Sequence, residues 1–208
     1  MTPYSVKELN AKFKDATPTQ IIEWTLQHAQ RPILTTNFGP YSATLLHAVS
    51  TVQPTIPVLW GDSGYNLADT YAYATALSDR LDLNLKIYVP KFTRGYIDAS
   101  FKEYMADQKG RDTFAQLVKI EPLERAFKEF TPDVWFTNIR RDQTAFRKTL
   151  GIFSVSASGI LKVSPFYAYS KEELMVYLQE HDLPNELNYF DPTKMLAHKE
   201  CGLHLSNL

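Results

Sequence analysis

The segment PILTTNFGPYSATLLHAVSTV, residues 32–52, decides the fold of this chain. Its first part, PILTTNF, is apolar and β-branched, which predicts a buried strand. Its last part, YSATLLHAVSTV, carries apolar residues at helical spacing and predicts a helix. Between them we expect Gly39 to take a backbone conformation that is closed to other residues and Pro40 to preset the first helical turn. Free N–H groups at such a turn suit an anion.

This turn alone does not specify a ligand. Thr35 and Thr36 supply hydroxyl groups at the end of the strand, and Ser42 adds another at the start of the helix. Turns with one glycine are common, so a plain strand-to-helix connection is the alternative interpretation. The segment TTNFGPYS matches neither a Walker A loop nor a dinucleotide-binding fingerprint.

The same alternation of strands and helices continues along the chain. Thr17, Pro18 and Gln20 have the pattern of a capped helix start, and Ser170 with Glu173 has it again. Helical patterns cover residues 17–29, 41–52, the later part of 62–81, much of 91–130, and 170–181. Strand patterns cover 32–38, 56–60, 83–89 and 133–139, and a hairpin is predicted over 153–166 with its turn at Ser158 and Gly159.

This order of elements predicts the fold class. Strands that alternate with helices imply crossover units, and hence an α/β fold of three layers with a mostly parallel central sheet. We expect a single domain over residues 1–208, with a C-terminal tail from about 185 to 208. Ligands on such sheets bind beyond the carboxyl ends of the strands, which makes residues 36–42, 61–65 and 138–147 the candidate functional loops.

Composition argues against several kinds of partner. The chain has 208 residues, a net charge of −1, 44% hydrophobic residues and 22% charged residues, as in an ordinary soluble protein. No global field draws it to nucleic acid or to a membrane, and no stretch approaches the roughly 20 apolar residues of a membrane span. The N-terminus lacks the apolar core of a signal peptide. We therefore expect a cytoplasmic protein that binds neither nucleic acid nor membrane.

The chain contains a single cysteine, Cys201, so no internal disulfide can form. A lone cysteine is usually a small buried hydrophobic residue. Cys201, however, lies in the polar segment HKECGLH, where Lys199 and His204 favour the thiolate and Glu200 opposes it. A nucleophilic thiol is therefore the interpretation to weigh against a buried one.

Several segments together resemble the phosphoadenylyl-sulfate reductase family, which belongs to the adenine nucleotide α-hydrolase superfamily. The family motifs SxxFGxxSAxLLH, DTGYxxPETY, LNLKVY, KVEPMxRAxKEL, WFxGxRRxQ and ECGLH have counterparts here in the same order. These counterparts are TTNFGPYSATLLH from Thr35, DSGYNLADTY from Asp62, LNLKIY from Leu83, KIEPLERAFKEF from Lys119, WFTNIRRDQ from Trp135, and ECGLH from Glu200. The resemblance covers roughly residues 17 to 205, and its colinear order makes it specific.

The resemblance implies a reductase that converts 3′-phosphoadenylyl sulfate into sulfite and adenosine 3′,5′-bisphosphate. Cys201 is then the nucleophile that forms an S-sulfocysteine intermediate, with His204 beside it. The implied substrate-binding residues are Thr36, Phe38, Gly39, Ser42, Asp62, Ser63, Gly64, Lys119, Arg140, Arg141, Gln143 and Arg147. Asp62, Ser63 and Gly64 would frame the adenosine, although a simple helix-capping turn is the alternative for them.

The cysteine count adds to what the resemblance implies about cofactors and partners. One thiol cannot resolve its own adduct, so an external dithiol must release sulfite, and in the family this is thioredoxin or glutaredoxin. An iron–sulfur cluster needs about four cysteine ligands, which this chain lacks. We expect no bound cofactor and no metal, a substrate with the 3′-phosphate, and a homodimer as in many family members.

One segment departs from the family. Relatives carry GYxSIGDxHTT and further arginines before ECGLH, whereas Pro184–Lys199 reads PNELNYFDPTKMLAHK, and no arginine follows Arg147. Lys194 and Lys199, together with His198, are the cations that could replace them at the phosphosulfate. Two alternatives stay open: a degenerate relative that binds adenine nucleotide as a sensor or partner protein, and an ATP-cleaving relative. The latter should show SGGxDS, whose aspartate is missing here.

Overall fold

The computed structural model describes residues 5–101 and 107–194, and of Lys194 only the backbone. In this part of the chain six strands form one sheet in the order β3-β2-β1-β4-β6-β5. The strands are β1 Pro32–Thr36, β2 Val58–Gly61, β3 Leu85–Tyr88, β4 Val134–Phe136, β5 Phe153–Val155 and β6 Leu161–Val163. The α-helices are α1 Val6–Lys12, α2 Pro18–His28, α3 Ser42–Val52, α4 Ala68–Leu81, α5 Arg94–Ser100, α6 Gln108–Ala115, α7 Glu121–Phe130 and α8 Lys171–Glu180.

The sheet is mostly parallel, as predicted. β1 pairs in parallel with both β2 and β4, and β5 pairs antiparallel with β6. The chain runs outward from β1 through β2 to β3, then crosses back to place β4 on the other side of β1. The connections after β1 and β4 therefore leave in opposite directions, and the crevice between the ends of those strands is where such sheets bind ligands.

Consecutive residues of the central strands enter two separate cores, which confirms the three layers. Leu34 and Phe136 belong to the large core formed with α2, α3, α4 and α8. Ile33 and Trp135, one position away in each strand, pack with Phe127 of α7 on the opposite face. Successive strand side chains point to opposite faces, so both faces of this sheet are covered by helices.

Local signals in the sequence place several element boundaries correctly. Thr17 and Gln20 form a reciprocal capping box at the start of α2, and Ser170 and Glu173 form one at α8. The hairpin of β5 and β6 turns at Gly159, whose φ is 86°. Among the described residues, no helix has both the length and the apolar character needed to cross a bilayer.

The prediction for the turn after β1 was wrong in its details. The left-handed residues are Phe38 and Tyr41, with φ of 50° and 60°, and α3 begins only at Ser42. Gly39 has a different role, because a Cβ atom there would lie 3.2 Å from the ring of Tyr189, a tight contact that the ring could relieve only by shifting. Pro40 consequently belongs to the turn and not to the first turn of the helix.

A cluster of two histidines and a tyrosine joins α3 to the end of α8. The Nδ1 atom of His47 lies 2.9 Å from the hydroxyl of Tyr177, and the ring centroids of His47 and His181 are 4.5 Å apart. Burial lowers the pKa of His47, and the nearby His181 and Arg80 lower it further. The folded protein therefore favours the neutral imidazole.

We expect this cluster to make stability depend on pH. Because the pKa of His47 is lower in the folded chain than its ordinary value of about 6.5, its contribution is present above that pH and is lost as the pH falls below it. The unfolding free energy, measured by urea titration from pH 7.5 to 5.5, should fall less steeply in His47→Gln than in the wild type. His28→Gln, at an exposed histidine outside the cluster, is the control. Identical pH slopes for the wild type and His47→Gln would contradict this expectation.

Candidate functional site

A cavity of about 510 Å³ opens at the carboxyl ends of β1 and β4, at the crevice identified from the topology. It collects the first and third of the predicted functional loops, together with Gly61 at the end of β2. The cavity is lined by Thr35, Thr36, Asn37, Gly39, Pro40, Tyr41, Ser42, Leu45, Leu46, Gly61, Lys119, Leu123, Thr137, Asn138, Ile139, Arg140, Gln143, Arg147, Lys171, Leu187 and Tyr189. Four of these residues are cationic, and no aspartate or glutamate of the described chain is among them.

The turn after β1, residues 36–42, forms the floor of the cavity and is held by its own side chains. The hydroxyl of Thr36 accepts a hydrogen bond from the backbone N–H of Phe38 at 3.0 Å, and the side chain of Asn37 accepts one from Gly39 at 3.1 Å. Ser42 is buried, with its Oγ 3.3 Å from the hydroxyl of Tyr73. The backbone N–H groups of Tyr41 and Ser42 are also used, by Asn185 and by the carbonyl of Gly39. The expectation of free N–H groups at this turn was therefore wrong, and its hydroxyl groups are what the turn offers to the cavity.

Phe38 occupies a different position from the other loop residues that were predicted to bind substrate. Its side chain is fully buried and packs edge-on against Trp60, with ring centroids 4.9 Å apart. Phe38 is therefore a core residue beside the cavity, whereas Thr36, Gly39 and Ser42 line the cavity itself.

A π-helical segment, Gln116–Ile120, presents Lys119 to the cavity. Pro122 follows it in the first turn of α7 and has no N–H to continue the α-helical ladder, so the backbone widens at this point. Such single wide turns are frequent at functional sites. The ammonium group of Lys119 lies 2.6 Å from a carboxylate oxygen of Asp191.

Two buried arginines from the connection after β4 also line the cavity. Arg140 is 4% exposed and Arg147 is 8% exposed. The side-chain oxygen of Gln143 accepts hydrogen bonds from the backbone of Arg140 at 3.0 Å and from the guanidinium group of Arg147. Gln143 thus fixes the loop that positions both cations, which gives a structural reason for the RRxQ pattern.

Arg141 and residues 62–64 of the loop after β2 do not line this cavity, and the predicted role of Arg141 in binding stays a prediction. The side chain of Arg141 is exposed and lines a separate groove beside α1 and β5. Asp62 accepts hydrogen bonds from the backbone of Gly64, at 2.9 Å, and from the hydroxyl of Tyr71, at 2.9 Å. Ser63 accepts one from the backbone of Tyr65. These three loop residues build a tight turn next to the cavity, and their predicted contact with adenosine stays a prediction.

Sequence reasoning missed several residues that line or close the cavity. Lys171 follows the cap of α8 and adds a fourth cation to the lining. The side-chain amide of Asn138 donates to the carbonyl of Tyr41 at 3.3 Å and ties the two loops together. Tyr189 and Asp191 come from the segment predicted to be a tail. No periodicity distinguishes any of these positions, and only the fold brings them to the site.

The remaining predicted site residues lie outside the described part of the chain. These are Cys201, His204 and Lys199, and of Lys194 only the backbone is described, in the 3₁₀ turn Pro192–Lys194. Their predicted roles stay predictions. Within residues 5–101 and 107–194, no three histidine, cysteine, aspartate or glutamate side chains come together in a way that could hold a metal ion.

Comparison with known proteins points to one family. Residues 31–190 match the model of the phosphoadenosine phosphosulfate reductase domain. A phosphoadenosine 5′-phosphosulfate reductase of Synechococcus sp. is 34% identical over 183 residues, which cover 86% of this chain and 78% of that protein. The enzyme of the same name from Xanthomonas axonopodis pv. citri is 37% identical over 178 residues, covering 85% of this chain and 73% of that protein.

A third relative aligns over nearly the whole of this chain. The phosphoadenosine 5′-phosphosulfate reductase of Synechocystis sp. is 32% identical over 232 residues, covering 99% of this chain and 92% of that protein. The aligned length exceeds the 208 residues of this chain, so the relative has residues with no counterpart here.

Solved structures show the same fold. The crystal structure of a phosphoadenylyl-sulfate (PAPS) reductase from Candida auris, a phosphate complex, superimposes with a TM-score of 0.78 at 22% identity, covering 89% of this chain and 90% of that one. An NH3-dependent NAD synthetase from Campylobacter jejuni gives a TM-score of 0.55 at 13% identity, covering 86% of this chain and 75% of that one. The chain therefore shares its fold with both of these proteins.

Proposed function

Because the chain belongs to the phosphoadenosine phosphosulfate reductase family, we propose that it reduces 3′-phosphoadenylyl sulfate to sulfite and adenosine 3′,5′-bisphosphate. The observation that carries this proposal is the charge of the cavity. Lys119, Arg140 and Arg147 all line it, in a protein whose net charge is only −1. A polyanionic nucleotide is the kind of ligand that such a local concentration of cations attracts.

Different residues of the cavity bind different parts of the nucleotide. The hydroxyl groups of Thr36 and Ser42, which line the cavity, hold the phosphate nearest the ribose, while Lys119 pairs with the phosphosulfate. Arg140 and Arg147 offer planar guanidinium groups, which form paired hydrogen bonds with phosphate or sulfate oxygens. Asp62, Ser63 and Gly64 frame the adenosine beside the cavity. In this arrangement the phosphosulfate is the part of the nucleotide that the thiol of Cys201 attacks.

The chemical step uses the only thiol of the chain. The thiolate of Cys201 attacks the sulfur of the phosphosulfate, the bond between that sulfur and the bridging oxygen breaks, and adenosine 3′,5′-bisphosphate leaves with the electron pair. The sulfonate stays on Cys201 as S-sulfocysteine. The cations of the cavity stabilise the charge that develops on the departing phosphate, and His204 lies close to the nucleophile in sequence.

The second half-reaction requires an external dithiol such as thioredoxin or glutaredoxin. One thiolate of the dithiol attacks the sulfur of Cys201. The bond between that sulfur and the sulfonate sulfur breaks, and sulfite leaves with the electron pair of the bond. The second thiol then resolves the mixed disulfide, which returns Cys201 and oxidises the dithiol by two electrons. We propose that the protein works without a bound cofactor, in a reducing cytoplasm that keeps its thiol free, and as a homodimer like many relatives.

The shortened segment before ECGLH needs replacement cations. A thiolate that approaches the phosphosulfate meets like charge, and the relatives neutralise it with arginines that this chain lacks. We assign this role to Lys194 and Lys199, the lysines that follow the cavity-lining residues in sequence. Their contribution would arise only when the C-terminal segment has closed over the nucleotide, as catalytic lids do.

The decisive experiment is to incubate the protein with 3′-phosphoadenylyl sulfate without reductant and to measure its intact mass. The proposal predicts one sulfonate adduct, located on Cys201 by peptide mapping. Single-turnover rates of adduct formation should fall in Lys194→Ala and Lys199→Ala more than nucleotide affinity does, because their interaction is made only in the closed state.

Other results of this experiment would change the assignment. Wild-type adduct rates in both lysine variants would remove those lysines from the mechanism. A protein that binds adenosine 3′,5′-bisphosphate but forms no adduct, with or without the 3′-phosphate on the substrate, would be a degenerate nucleotide-binding member of the family. The missing arginine segment is the observation that favours this second candidate.

A further inference from the structure

Residues 184–194, here called the strap, contribute Leu187 and Tyr189 to the lining of the cavity and dock on the turn 36–42. The side-chain oxygen of Asn185 accepts a hydrogen bond from the backbone N–H of Tyr41 at 2.8 Å. The amide of Asn37 donates to the hydroxyl of Tyr189 at 2.9 Å, and the ring of Tyr189 covers Gly39. The strap therefore contacts the same loop that is proposed to bind phosphate, and it does so with oxygen atoms.

The strap also places a carboxylate on the lysine of the cavity. Lys119 and Asp191 approach to 2.6 Å, and their side chains are only 14% and 6% exposed. The hydroxyl of Thr193 donates to Asp191 at 2.6 Å and accepts from Lys119 at 3.2 Å, and the backbone N–H of Thr193 donates to Asp191 at 3.0 Å. Thr193 thus fixes the carboxylate against the ammonium group.

We propose that Asp191 is a specificity-determining residue that favours the substrate over the product, an inference that rests on the proposed function. Its carboxylate stands in for the outer anionic group of the phosphosulfate on Lys119. Two anions on one buried ammonium group repel each other strongly, because little water screens them. A nucleotide can therefore use Lys119 fully only by displacing Asp191.

Substrate and product differ in their ability to displace Asp191 from Lys119. The substrate carries a sulfonate beyond the phosphate at the 5′ position, and that group replaces the carboxylate with another strong anion. The product, adenosine 3′,5′-bisphosphate, lacks it. After the sulfonate has moved to Cys201, Asp191 returns to Lys119 and the affinity for the departing nucleotide falls. The strap thereby couples the chemical step to product release.

The test is the affinity of the full-length protein for adenosine 3′,5′-bisphosphate, measured by calorimetry. Asp191→Asn keeps the shape of the side chain and removes its charge. It should bind the product about tenfold more tightly than the wild type, since removal of a like charge from a buried anion site has effects of at least this size. The product inhibition constant should fall by the same factor. Unchanged affinity would overturn the proposal, and weaker binding would show instead that Asp191 positions Lys119.

Two further variants make the test independent of the folding of Asp191→Asn. Thr193→Val loosens the carboxylate without changing the charge, and should tighten product binding by a smaller factor. Asp182→Asn is the control, since Asp182 precedes the strap, is 97% exposed and pairs with Arg80; its affinity should equal that of the wild type. A wild type that binds neither adenosine 3′,5′-bisphosphate nor adenosine 5′-monophosphate would overturn the proposed function as well. If the wild type binds adenosine 3′,5′-bisphosphate and neither strap variant binds it more tightly, only the proposed role of Asp191 is overturned.

Discussion

Cys201→Ser is expected to abolish sulfite release while leaving the affinity for adenosine 3′,5′-bisphosphate almost unchanged. A serine hydroxyl does not ionise at neutral pH and is a far weaker nucleophile than a thiolate. The groups proposed to bind the nucleotide come from the turn 36–42, from Lys119 and from the connection after β4, all remote in sequence from Cys201. Sulfite release in the presence of thioredoxin, together with calorimetry of the product, measures both effects.

The chain offers a direct control for this variant. Because Cys201 is its only cysteine, alkylation of the wild-type protein with iodoacetamide modifies the same atom and must produce the same loss of activity. Sulfite release by Cys201→Ser at a rate near that of the wild type would rule out the thiol mechanism. Loss of nucleotide affinity along with activity would place Cys201 inside the binding site as a structural residue.

Arg140→Ala should weaken binding of adenosine 3′,5′-bisphosphate by about 1.5–3 kcal/mol, the usual worth of a hydrogen bond to a charged group. Arg140 is buried, lines the cavity and stacks over the ring of Tyr41 at 5.3 Å. Arg140→Lys should weaken binding by a smaller amount, since lysine keeps the charge but cannot form the paired hydrogen bonds of a guanidinium group. Calorimetry on folded variants measures both losses.

The neighbouring arginine provides the matched control. Arg141 has the same charge and lies one position along the chain, but its exposed side chain lines the groove beside α1 and β5. Arg141→Ala should therefore have a much smaller effect than Arg140→Ala. If both variants lose the same affinity for adenosine 3′,5′-bisphosphate, the two arginines act through the positive potential of the loop and not through direct contacts. Thermal unfolding of each variant separates a binding defect from loss of structure, because Arg140 also lies 3.3 Å from Asp142.

The fold could be predicted from the sequence because its signals are local. The short apolar runs of the strands, the capping boxes at Thr17 and Ser170, and the turn at Gly159 each depend on neighbouring residues. Once the strands alternate with helices, the handedness of crossovers leaves few arrangements of the sheet. The position of the cavity follows from that arrangement.

Details of the site could be predicted only in part, because they depend on contacts between distant segments. The motif WFTNIRRDQ does not indicate which of two adjacent arginines faces the cavity, and burial separates Arg140 from Arg141. The left-handed backbone of Tyr41 is stabilised by Asn185, which lies 144 positions away. Lys119 was predicted from its motif, but its pairing with Asp191 was not, since no local pattern links the two positions.

The π-helical segment Gln116–Ile120 has a consequence for how this region can change through evolution. An α-helix advances by about 100° per residue, so one inserted residue rotates the two flanking helices relative to each other by that angle. On one side Phe114 must face Ile97, and on the other Leu123 and Phe127 must face the sheet. The wide turn sets the rotation of one flanking helix relative to the other, so that both sets of side chains can pack. A deletion of one residue here would satisfy only one of them, so this stretch should tolerate substitutions far better than changes in length.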